Sequence, residues 1–135
     1  MKHLSQHKPI YEWVKDIHET AKQKGWWEAN DLFKIKRPLE IHALIVSEVA
    51  EAMEEYRKGM PPIYSHNEEV ATMVNGSVTK SILPGKPEGE LIELADAVIR
   101  IMDYCGYMGW DLEQAMKMKH DYNTTRGFRH GNKLA

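Results

Sequence analysis

Two long apolar runs, each broken by a pair of acidic residues three positions apart, constrain this chain more than any other feature. The first is Leu44-Ile-Val-Ser-Glu-Val-Ala-Glu-Ala-Met53, which carries Glu48 and Glu51; the second is Leu91-Ile-Glu-Leu-Ala-Asp-Ala-Val-Ile99, which carries Glu93 and Asp96. An i, i+3 spacing sets both carboxylates of a pair on one face of a helix, one turn apart. Nearly every neighbour is Leu, Ile, Val, Ala or Met, so the acids interrupt surfaces that should otherwise be buried. Four carboxylates drawn into a dry interior repel and lose hydration, and they persist there only if protonated, paired or bound to cations. Hard divalent cations with oxygen ligands answer that need.

At 135 residues, with 42% apolar and 28% charged residues, the chain fits one compact domain, read as 1–135, with a substantial core. Its formal net charge of -2 argues against binding a nucleic-acid polymer, whose phosphate backbone selects a strong basic excess. The charge is unevenly spread: Lys119, His120, Arg126, Arg129, His130 and Lys133 face only Asp121 near the C-terminus. Cys105 stands alone among apolar helical residues and is expected to pack as a small hydrophobe. The first eight residues lack an apolar signal region and no stretch reaches membrane-spanning length, so a soluble, reducing, cytoplasmic setting with no membrane partner is expected.

Periodicity predicts a first helix over Pro9–Lys24, with Ile10, Val14, Ile17 and Ala21 on one face and Gly25 as its stop. A second starts at Pro38 and ends near Lys58, before Gly59 and the pair Pro61 and Pro62. Residues 60–87 break the pattern and are too long for an ordinary connection. Within them, 70–74 and 77–82 flank Asn75-Gly76, the turn favoured in two-residue hairpins; Pro84 to Pro87 closes the insertion. A third helix is expected from about Glu88 to Tyr107. A fourth starts at Asp111, a good N-cap with Gln114 three residues on. The fold class is therefore all-α, a four-helix-bundle-like arrangement with a small β-hairpin or loop inserted between the two acidic helices. The third helix is apolar on both flanks: Ile92, Ala95 and Ile99 on one, Leu94, Val98, Ile101 and Cys105 on the other. A helix apolar nearly all round is central. So many buried sides in a short chain point to a second subunit, a homodimer or homotetramer.

Competing chemistries are absent from the sequence. No glutamate has a histidine three residues later, as di-iron carboxylate bundles require. There is no Cys/His cluster for zinc, no glycine-rich phosphate loop and no Gly-x-Ser-x-Gly elbow. An ordinary solvated face, with Asp96 paired to Arg100 at i, i+4, explains one acidic helix more readily than two. Glu55, Glu90 and Asp103 fall near the same faces as candidate extra ligands.

Ser47-Glu-Val-Ala-Glu51, followed by Glu93-Leu-Ala-Asp96, resembles the Glu-Glu-x-x-Glu and Glu-x-x-Asp signature of the all-α MazG-like nucleoside triphosphate pyrophosphohydrolases. The run Glu88-Gly-Glu-Leu-Ile-Glu-Leu-Ala-Asp96 and the ending from Lys119 to Lys133, with its Lys, Asn, Arg and His-Gly-x-Lys, are similar to one branch of that family. The resemblance extends over most of the chain from Gly25 onward. It implies Mg²⁺-dependent cleavage, or Mn²⁺-dependent cleavage, of a nucleoside triphosphate to the monophosphate and pyrophosphate. Glu48, Glu51, Glu93 and Asp96 would then hold the metal and form the catalytic centre. Lys119, Tyr122, Asn123, Arg126, His130 and Lys133 would contact substrate, with Arg126 suited to two-pronged phosphate binding. Trp26 and Trp27 are both candidates to stack on the base, and the resemblance, which implies an aromatic from this region there, favours Trp27. The sequence departs from the signature at Ser47, where a first acidic residue is expected; orienting water then falls to a remaining carboxylate, with Glu48 the choice, or to the metal. Two rival readings are a narrower diphosphatase for dUTP or dCTP and a non-catalytic helical module that binds a protein.

Overall fold

A computed structural model describes residues 7–30, 34–83 and 85–134; residues 1–6, 31–33, 84 and 135 lie outside them. The chain is mainly helical, in the order α1 (Ile10–Gln23), α2 (Pro38–Arg57), β1 (Glu68–Val74), β2 (Ser77–Leu83), α3 (Glu90–Met108), α4 (Leu112–Thr125) and the short α5 (Arg129–Asn132). Pro9 caps α1 and Pro38 opens α2, because a proline in the first turn sacrifices no helical hydrogen bond. Gly25 and Gly59, at φ +86° and +69°, turn the chain out of these helices in the left-handed region that favours glycine. Asp111 accepts a hydrogen bond from the Gln114 amide at 2.9 Å, the expected cap of α4. No described helix is long and apolar enough to cross a membrane.

The chain divides into two compact units, residues 1–35 with 101–135, and residues 36–100. In the first, Val14, Met102 and Cys105 form a buried cluster against which Ile10, Ile17, Ile101 and Leu112 pack. Cys105 is thus a core residue, and burial raises its thiol pKa. Gly106 permits the close approach of α1: a Cβ there would lie 2.6 Å from the Cβ of His18.

The second unit contains α2, the hairpin and α3 as far as Arg100. Strands β1 and β2 pair antiparallel around Asn75 and Gly76, both at positive φ (51° and 77°), as a type I′ turn requires. Below the hairpin the ends of the insertion are joined: the backbones of Tyr64 and Glu88 exchange hydrogen bonds at 2.9 and 2.8 Å, and the Leu91 amide donates to the Pro62 carbonyl at 3.0 Å. Gly89, at φ +120°, lies so close to Pro62 that a Cβ there would be 2.7 Å from its carbonyl carbon.

One expectation is corrected. Helix α3 is not buried on all sides of a single chain: Leu94, Val98 and Ile99 remain 40%, 47% and 44% exposed. On α2, Val46, Val49, Met53 and Tyr56, spaced so that they share one face, are exposed as well. These apolar positions of the two helices find no cover among the described residues.

A candidate metal centre of three glutamates

Helices α2 and α3 each bury one acid of their pair, Glu48 and Glu93, and Glu51 completes the group. Each of these three offers a carboxylate oxygen within 4.8 Å of the other two, close enough for one ion to touch all three. The i, i+3 spacing explains the pair on α2; their meeting with Glu93 needs the tertiary fold. Asp96, the fourth expected member, lies one turn along α3, half-buried and outside the cluster, though its charge bears on Glu93.

The two buried carboxyls, Glu48 and Glu93, do not share one electrostatic state. Burial is the largest influence on Glu48 and opposes ionisation. It is outweighed by the Arg100 guanidinium, whose Nε donates to Glu48 Oε1 at 2.8 Å, and by hydrogen bonding with Glu51 and Glu93, so the pKa of Glu48 is lowered. Among the described residues no cation pairs with Glu93 in this way. Burial, then the hydrogen bond and charge of Glu51, then Glu48 and Asp96, push it up to about 7. Neighbouring carboxylates whose environments drive their pKa values apart cannot all be charged together without a further cation. An oxygen-only donor set with this charge suits a hard divalent ion.

Ser47, at the departure from the signature, stands outside the cluster: its hydroxyl donates to the Leu44 carbonyl of its own helix at 2.6 Å. Glu55 faces Tyr64, which donates to it at 2.7 Å. That bond, then burial and the charges of Glu55, Glu88 and Glu93, push the Tyr64 hydroxyl up to about 12. Asp103, expected as a spare ligand, is engaged elsewhere: its Oδ1 accepts from His18 Nδ1 at 2.8 Å and from Trp27 Nε1 at 2.9 Å. Trp27 also stacks on Tyr107, with centroids 3.9 Å apart and planes 14° from parallel, while His18 stands edge-on to both rings. Because a carboxylate can only accept, His18 donates through Nδ1, leaving Nε2 as the ring's acceptor when neutral.

The expected phosphate-binding residues are partly gathered. Tyr122 has two cations near its ring, Lys119 Nζ 5.2 Å and the Arg126 guanidinium carbon 5.7 Å from the centroid. Lys119, Asn123 and Arg126 recur at i, i+4 and i+7, the spacing of one helical face, but only the first two belong to α4: the helix ends at Thr125, and Arg126 adopts extended backbone at ψ 148°. His130 and Lys133 are exposed, the first within a turn of four positive-φ residues, Arg129 to Asn132. Arg100, His18 and Tyr107 were not among the expected site residues. No known protein family, curated protein or solved structure matches this chain.

Proposed function

We propose that this chain is a MazG-like, Mg²⁺-dependent nucleoside triphosphate pyrophosphohydrolase, forming the monophosphate and pyrophosphate. The convergence of Glu48, Glu51 and Glu93 from two helices carries the reading. These three would hold Mg²⁺, or Mn²⁺, and Asp96 stands near enough in charge to join them when a cation draws the group together. Bound there, the ion would neutralise phosphate oxygens and make water a competent nucleophile towards the α-phosphorus.

The protein's own groups supply the rest. Glu48, held ionised by Arg100, is the carboxylate best kept ready to orient or deprotonate water, a task Ser47 cannot perform while its hydroxyl is turned to Leu44. Lys119, Tyr122, Asn123 and Arg126 bind the phosphates, and His130 and Lys133 extend that basic surface. Trp27, its indole N–H fixed by Asp103 and one ring face against Tyr107, offers a rigid aromatic partner for a base.

The test is pyrophosphate release from a panel of canonical, deoxy and modified nucleoside triphosphates with Mg²⁺. Monophosphate and pyrophosphate in equal amounts are expected. Turnover confined to dUTP or dCTP would narrow the enzyme to a diphosphatase for one nucleotide. No turnover of any nucleotide would leave the non-catalytic, protein-binding module. The uncovered faces of α2 and α3 support a homodimer or homotetramer, and sedimentation at micromolar concentration should return at least a dimer. A folded monomer there would overturn the oligomer.

A further inference from the structure

The hairpin raises a question separate from catalysis. Strands β1 and β2 are the only strands among the described residues, and their described side chains are all exposed, Met73, Val74 and Val78 among them. A two-stranded ribbon alone in water is marginally stable; three or more strands, or a helix beneath, are ordinarily needed. Neither strand makes more than a marginal approach to a helix among the described residues.

Its two free edges are not equivalent. The two-residue turn makes Val74 and Ser77 a hydrogen-bonded pair, and antiparallel pairs alternate from there. The N–H and C=O groups of Met73, Ala71 and Glu69 therefore point away from β2, and those of Val78 and Lys80 away from β1. The middle residues, Ala71 of β1 and Lys80 of β2, face each other. An edge paired antiparallel with its own copy about a two-fold axis sets its middle residue against itself. On β2 that would oppose two lysines directly, which is destabilising, and an exposed lysine is a common guard against edge pairing. On β1 it would oppose two alanines and set Glu69 against the second copy's Met73, with no like charges meeting. Residues 70–74 carry no charge and no proline to guard that edge.

From this asymmetry we infer that the β1 edge pairs with β1 of a second copy of this chain, forming a continuous four-stranded antiparallel sheet, β2-β1-β1-β2, with Ala71 at the two-fold axis. The ribbon then has the strand number it needs, and both outer edges are the lysine-bearing β2.

Directly opposed residues in such a pair lie about 4.5–5.5 Å apart at Cα, within disulfide range. Ala71→Cys should therefore form a disulfide-linked dimer under mild oxidation. Lys80→Cys and the parent protein, whose lone Cys105 is buried, should not. In the parent, the Glu69, Ala71 and Met73 amides should exchange with deuterium at least tenfold more slowly than those of Val78 and Lys80. Ala71→Lys, which opposes two charges at the axis, should erase that difference while circular dichroism stays unchanged. Cross-linking of Ala71→Cys no faster than Lys80→Cys, or equally fast exchange on both edges, overturns the inference. Neither readout involves turnover, so these results stand apart from the outcome of the nucleotide panel.

Discussion

Glu93→Gln should reduce pyrophosphate release by about 10³-fold or more, equivalent to roughly 4 kcal/mol of barrier, because it removes a charged oxygen donor from the metal centre. The same change should make the metal-free protein more stable above neutrality. Glu93 titrates near 7 in the folded chain against an ordinary 4.5, so between these values the folded state holds a proton that the unfolded state has released. Stability of the metal-free protein therefore falls as pH rises through that window, by on the order of 1–3 kcal/mol in all. Glu48 acts in the opposite sense: its lowered pKa stabilises above 4.5 and is lost as pH falls below. Thermal unfolding followed from pH 4 to 8 should show the decline above 4.5 in the parent and a flattened curve in Glu93→Gln. Excess Mg²⁺ should restore stability to the parent at high pH and do little for the variant. Full activity in Glu93→Gln, or an unchanged pH profile, would remove Glu93 from the metal centre.

Arg126→Ala should lower kcat/KM by about 30- to 1,000-fold, the 2–4 kcal/mol expected when a charged partner of a reacting phosphate is lost. The loss should be similar for every nucleotide, because phosphates carry no base identity. Trp27→Ala should instead reorder the bases, with smaller losses where stacking contributes least. An Arg126→Ala variant that changed base preference at unaltered overall rate would reassign Arg126 to base recognition. Its position just beyond α4, against the Tyr122 ring, gives it a fixed base from which to reach.

The boundaries of α1, α2 and the hairpin were legible because local chemistry dictates them: Pro9, Pro38, Gly25, Gly59 and Asn75-Gly76 act within a few residues of themselves. Two acids of the candidate metal centre were legible for a related reason, since helical spacing alone juxtaposes Glu48 and Glu51. What the spacing could not convey was choice of partner. Arg100 is placed by periodicity beside Asp96 at i, i+4, yet its Nε reaches Glu48, 52 positions away. Asp103 was grouped with the acids because helical spacing sets it near their face, whereas its bonds to His18 and Trp27 span 85 and 76 positions. The turn at Arg129 to Asn132 was equally hidden: four successive residues hold positive φ, and only Gly131 among them announces it. The exposed flanks of α2 and α3 show the reverse limit, because an apolar pattern tells that a face seeks cover and not whether the same chain provides it.

The paired backbones of Tyr64 and Glu88 set a mechanical boundary within the chain. Everything between them hangs from a joint already closed by its own hydrogen bonds, and lengthening a loop whose ends are joined costs little, about 0.6 kcal/mol per doubling. Insertions, deletions or wholesale replacement beyond that joint should leave the start of α3, and with it the placing of Glu93, undisturbed. The ribbon is thus the part of this chain whose length can change at least cost to the placing of the three glutamates.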